Sequence, residues 1–97
     1  MVEVVSYPYI DEVDTPFGSE PYITGSRIRV RDIVAAHDLN GYTPAEIAGT
    51  VYPQLTLAQV YSALAYYQDH SQQIEQFFEK EKAEIENFKK EHPDLVR

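Results

Sequence analysis

The chain has 97 residues, 43% of them hydrophobic and 25% charged, the size and composition of one domain whose folding buries roughly 60–65% of its unfolded surface. It carries no cysteine, which excludes disulfides, cysteine-based zinc sites and a thiol nucleophile. Sixteen acidic residues against eight basic ones give a net charge of −8, which argues against a broad nucleic-acid surface, because phosphate binding needs a positive face. The longest apolar stretches, such as Ile33-Val34-Ala35-Ala36, fall far short of the roughly 20 residues that cross a bilayer. The opening Met1-Val2-Glu3-Val4-Val5 lacks the basic start and apolar run of a secretory signal. The expected setting is the cytoplasm, with no membrane partner.

The elements follow in chain order. Val2 to Tyr9 is rich in β-branched and aromatic residues and predicts a short strand, which Pro8 confines to an edge or an end. Residues 11–21 (DEVDTPFGSEP) are acidic, with two prolines and a glycine, and predict a loop. Pro21 to Thr24 and Arg27 to Val30 read as two short extended pieces around a Gly25-Ser26 turn. The first helix is expected over about Val30 to Leu39, with Ile33, Val34, Ala36, His37 and Leu39 turned inward, stopped by Asn40-Gly41. The second opens with Thr43 as N-cap, Pro44 at the first helical position and Glu46 closing a capping box, and Pro53 stops it near Val51 or Tyr52. The third opens with a box from Thr56 to Gln59 and runs to about Asp69, with Leu57, Val60, Tyr61, Leu64 and Tyr67 at helical spacing. The fourth, about Ser71 to Lys90, is highly charged. The expected fold is mainly α: a tri-helical helix-turn-helix core with a short N-terminal β element and an extra C-terminal helix. The single domain divides into an extended part (1–30), the tri-helical core (31–70) and the C-terminal amphipathic helix (71–97).

Three sets of residues are candidates for function. Arg27, Arg29 and Arg31 are the only concentrated positive charge, and in an extended segment period two would set them on one face. They could contact phosphates. They could instead hold carbonyls or a carboxylate such as Asp32 or Glu20, a role that suits Arg27 in particular. On the third helix Thr56, Gln59 and Ser62 could read base edges, but that helix has no Lys or Arg, and Thr56 and Gln59 serve equally as its cap. On the fourth helix Ile74, Phe77, Phe78, Ile85 and Phe88 form an apolar stripe. Glu81 and His92 interrupt it as a coiled-coil seam, so an arm that docks on a partner or a dimer mate suits it better. The eight tyrosines suit core and dimer-interface packing rather than base stacking, since no base lies between Asp32 and Glu79. His37, His70 and His92 lack ligand spacing. No nucleotide loop or nucleophile motif occurs, so neither a metal, a cofactor nor an enzymatic activity is expected.

The run Pro21-Tyr22-Ile23-Thr24-Gly25-Ser26-Arg27-Ile28-Arg29-Val30 resembles the opening signature of domain-of-unknown-function family 433, whose members are described as VapB-type antitoxins. Gly41-Tyr42-Thr43-Pro44-Ala45-Glu46-Ile47, Tyr52-Pro53-Gln54-Leu55-Thr56, Val60 and Ala63-Leu64-Ala65-Tyr66-Tyr67 match it too. The resemblance covers about residues 20–70. Ser26 stands where the family usually has threonine. Ser19-Glu20 stand where it usually has a Gly-Lys-like pair, which removes a basic residue and weakens any phosphate contact there. The resemblance implies a homeodomain-like or winged-helix-like core. It further implies a dimer that binds its own operator DNA and a companion PIN-like ribonuclease toxin. Two functional readings follow. One is an antitoxin-like homodimer whose C-terminal helix neutralises the toxin. The other is an interaction and dimerisation module that binds no DNA.

Overall fold

The computed structural model describes residues 7–16 and 18–94. Strand β1 (Ile10–Thr15) and strand β2 (Gly18–Ile23) form an antiparallel hairpin, in register from Ile10 opposite Ile23 to Thr15 opposite Gly18. Residues 11–21, expected as a loop, therefore form most of a hairpin. Their turn-type residues sit where a hairpin tolerates them. Pro16 falls in the connecting turn, and Gly18 takes a φ of 108° that other residues avoid. The Ile23 N–H points away from β1, to the Ile28 carbonyl at 2.9 Å. Pro21, two residues earlier, points the same way, so its missing N–H removes no bond from the β1 ladder.

Of the strand expected over Val2–Tyr9, residues 2–6 lie outside the described residues. Tyr7, Pro8 and Tyr9 form a turn rather than a strand, with Tyr9 at φ 70°. The turn expected at Gly25-Ser26 is present. Gly25 takes φ 76°, the Ser26 N–H and hydroxyl both donate to the Ile23 carbonyl, and the Ser26 hydroxyl accepts from the Ile28 N–H.

Four helices follow. Helix α1 (Val30–Val34) continues as a wide π-helical turn over Ala35–Leu39. Asn40 donates back to the Ala35 carbonyl at 3.0 Å and Gly41 ends the run at φ 76°. Helix α2 (Pro44–Glu46) likewise widens over Ile47–Val51. Its box is closed in both directions, from the Thr43 N–H to Glu46 Oε1 at 3.0 Å and from the Glu46 N–H to Thr43 Oγ1 at 3.2 Å. Helix α3 (Leu57–Asp69) starts the same way. The Thr56 N–H reaches Gln59 Oε1 at 2.7 Å and the Gln59 N–H reaches Thr56 Oγ1 at 3.2 Å. His70 alone separates α3 from α4 (Ser71–Glu91), its ring stacked on Tyr66 with centroids 4.2 Å apart.

The core lies where β2, α1, α2, α3 and the first half of α4 meet, and Ile23, Val30, Ile33, Ile47, Val60 and Ile74 are completely buried in it. Four residues at apolar-face positions turn out to face solvent. His37 and Leu39 lie in the outward-facing end of the wide turn, Leu39 being 74% exposed. On α3 the buried residues are Val60, Ala63 and Tyr66, whereas Leu57 and Tyr61 face solvent. The helix is apolar almost all round, so hydrophobic spacing alone does not select the face that the core covers.

Truncating a core residue separates these classes. Ile33→Ala should lower stability by about 2–5 kcal/mol, and Leu39→Ala by roughly 0.5 kcal/mol or less, as read from urea midpoints.

Candidate functional site

The three arginines do not share a face. Arg27 lies in the turn and is exposed. Arg29 is the N-cap residue of α1 and Arg31 is already helical, so the period-two alignment ends before Arg31. Arg29 is spent on Asp32. Its Nε and Nη2 donate to the carboxylate at 3.0 and 2.8 Å, and its backbone N–H joins them at 2.9 Å. Asp32 thereby caps α1 and neutralises the arginine. These are the carboxylates expected for Arg27, held instead by its neighbours: Asp32 by Arg29, and Glu20 by Arg31.

Arg31 joins three elements. Its Nε lies 2.7 Å from Glu20 Oε2 on β2, off the line of a hydrogen bond, so the contact is a Coulombic pair. Its Nη1 donates to the Phe77 carbonyl and to Glu81 Oε2, both on α4, at 3.4 and 3.2 Å. The guanidinium also sits 5.6 Å from the centre of the Phe77 ring, within cation–π range. Glu20 is only 4% exposed. Burial raises its pKa, against the opposing pull of Arg31 and Arg29. These groups line a cleft of about 250 Å³ with Lys80 and Glu84. The charges of its two arginines are matched by Asp32, Glu20 and Glu81, which leaves little for a phosphate.

The candidate base readers on α3 are also occupied. Thr56 and Gln59 hold each other's backbone N–H groups, and the Ser62 hydroxyl donates to the Pro8 carbonyl. Nearby, the Tyr66 hydroxyl donates to Glu12 Oε1 at 3.0 Å. Burial, then that carboxylate, pushes the phenol up to about 12.

The apolar stripe of α4 is divided. Ile74 is completely buried, Phe77 is 8% exposed and Phe78 packs half-buried against the core. Ile85 and Phe88 continue the same face beyond the body of the domain and remain about half exposed. Every residue from Glu79 to Glu91 is exposed. The division falls at Glu81, the last α4 residue tied to the body among the described residues, through Arg31. The His92 ring extends the strip, 4.5 Å from that of Phe88. Sequence spacing reveals the stripe but not where the body ends. That boundary depends on the long-range pairing of Arg31 with Glu81.

A second exposed surface, missed in the sequence, is the outer face of α3: Leu57, Ala58, Tyr61 and Ala65. The absence of any charge between Thr56 and Gln68 is the signal that could have identified it. Among the described residues, no group of three or more His, Asp or Glu is placed to hold a metal ion, and no helix is long and apolar enough to cross a membrane.

Strand β2, the arginine-bearing turn, α1, α2 and α3 as far as Tyr67 fall within residues 17–67, which match the family described as "Protein of unknown function (DUF433)". The chain belongs to that family; β1 precedes the match, and the last two residues of α3 and all of α4 lie beyond it. No curated protein and no solved structure matches the chain significantly.

The buried Glu20 gives a pH test. A carboxyl whose folded pKa is raised contributes stability that is fully present below its unfolded value, near 4.5, and is lost as pH rises through the folded value. Wild-type protein should therefore lose stability relative to Glu20→Gln between pH 4 and pH 7. Parallel urea curves at the two pH values measure this, since the remaining carboxylates are common to both proteins.

Proposed function

We propose that the chain is a non-enzymatic, dimeric protein of antitoxin type that acts by binding another protein, a PIN-like ribonuclease, through the distal half of α4. The observation that carries this reading is the exposure of Ile85 (48%) and Phe88 (50%) on a helix that has left the domain body. Complete burial of such side chains is worth about 1.5–3 kcal/mol each, so covering the exposed halves favours association. The remaining side chains of this segment are charged or small, and the chain as a whole carries −8. An acidic protein is drawn to the basic groove with which a ribonuclease binds RNA. The resemblance of residues 20–70 to VapB-type antitoxins supports the choice of partner.

Operator binding by a helix-turn-helix core is the weaker part of the antitoxin reading. Of Arg27, Arg29, Arg31, Thr56, Gln59 and Ser62, only Arg27 offers a side chain with no partner among the described residues. Reading DNA with the others would require breaking the Arg29–Asp32 and Arg31–Glu20 pairs or the cap of α3. The observed contacts favour the reading in which the protein works without DNA.

Removing residues 82–97 tests the proposal, because it leaves Ile74, Phe77, Phe78 and the Arg31–Glu81 pair in place. The truncated chain should keep its far-ultraviolet circular dichroism per helical residue and its urea midpoint. It should lose capture of the ribonuclease encoded beside it by about tenfold or more, as expected when central apolar anchors are removed. Unchanged capture would contradict the assignment to α4. In a salt titration on its own promoter fragment, the wild-type chain should bind no more tightly than Arg27→Ala, which removes the exposed arginine without altering stability.

A further inference from the structure

The outer face of α3 has no place in ribonuclease capture by α4, and its chemistry suits a different occupant. Leu57 is 43% and Tyr61 55% exposed, with Ala58 and Ala65 exposed on either side of Tyr61. Helical spacing sets Leu57, Tyr61, Ala65 and Gln68 along one strip of surface. The small alanines beside the tyrosine leave room for a second helix to approach closely.

Electrostatics distinguishes the possible partners. In a two-fold contact each surface patch meets its own copy, so a patch dominated by one sign of charge repels itself. For a chain of net charge −8, most of the exposed surface is ill-suited to such a contact. β1 presents Asp11, Glu12 and Asp14 with no base among them, and distal α4 sets Glu84, Glu86 and Glu91 among Lys82, Lys89 and Lys90. The outer strip of α3 from Leu57 to Gln68 has no charge at all. A basic partner would gain nothing from this neutral strip and would be drawn to the acidic surfaces. Two copies of the chain would meet there with the least repulsion.

Desolvation favours the same occupant. The polar side chains that flank the strip are already satisfied internally: Thr56 and Gln59 by the capping box, Ser62 by the Pro8 carbonyl. Burying the strip therefore leaves few polar groups unpaired. The same contacts that keep these side chains from a DNA groove prepare the face for an apolar contact.

We infer that the outer face of α3 is a homodimer interface, with Tyr61 near the two-fold axis and a second copy of this chain as its occupant. The inference rests on the dimeric part of the function proposed above and is independent of which partner α4 takes. Because residue 61 meets its own copy, either sign of charge placed there repels itself. Tyr61→Glu and Tyr61→Arg should each turn the dimer into a monomer of the 11.1 kDa chain mass in light scattering at tens of micromolar, while circular dichroism stays unchanged. An equimolar mixture of the two variants should restore the dimer as a heterodimer. A monomeric wild-type protein, a Tyr61→Glu protein that remains dimeric, or a mixture that stays monomeric would overturn the inference. Ribonuclease capture by the monomeric variants separates the two proposals: it persists if α4 alone carries that contact, whatever happens to the dimer.

Discussion

Arg31 is the side chain on which the arrangement of the domain depends. From the first turn of α1 it reaches Glu20 on β2 and Glu81 on α4, and it lies against the Phe77 ring. The hairpin, the tri-helical core and the C-terminal helix are thus held by one guanidinium. The planar, permanently charged group of arginine suits this task, and lysine would supply a point charge without the fork. The buried Glu20 explains why the arginine is needed: a carboxylate this far from water is costly unless a cation lies beside it. Burial still outweighs that cation in setting the proton affinity of Glu20.

The function proposed for α4 follows from the same contact. Glu81 ends the part of the helix that pairs with the domain among the described residues, and in the two turns beyond it Ile85 and Phe88 remain about half exposed. The helix is one continuous element of 21 residues, about 31 Å long at 1.5 Å per residue. Its first half is part of the core and its second half is an arm. Net charge, an α3 without Lys or Arg and internally satisfied caps act together with this arm. Each moves the balance away from a groove-reading helix-turn-helix and toward a protein that binds other proteins.

Much of the fold was legible in the sequence because its signals were local. Thr43-Pro44 with Glu46, and Thr56 with Gln59, placed the starts of α2 and α3 to the residue. Gly25 and Gly41 marked backbone positions with positive φ. The hairpin was not legible: Pro16, Gly18 and Pro21 read as breakers, and only the strand register shows that Pro21 directs its missing N–H away from β1. The site was legible in composition and not in geometry. The arginines, Glu20 and Asp32 were all recognisable as a charged group. Which arginine meets which carboxylate depends on α1 beginning at Val30, which turns Arg31 out of the extended alignment. The α4 stripe was visible as a pattern, but its division into core and arm depends on pairing across 50 residues of sequence.

The central claim is that residues beyond Glu81 are an intermolecular surface while the rest of α4 is core. Hydrogen exchange of the backbone amides tests it most directly, followed in the free protein and after addition of the proposed ribonuclease partner. In the free protein, the amides of residues 74–81 should exchange slowly and those of residues 83–91 quickly, because only the first set shares the stability of the core. On complex formation residues 83–91 should become protected, with no comparable change in β1 and β2. Uniform slow exchange along α4 in the free chain, or protection that appears elsewhere and leaves residues 83–91 unchanged, would contradict the account.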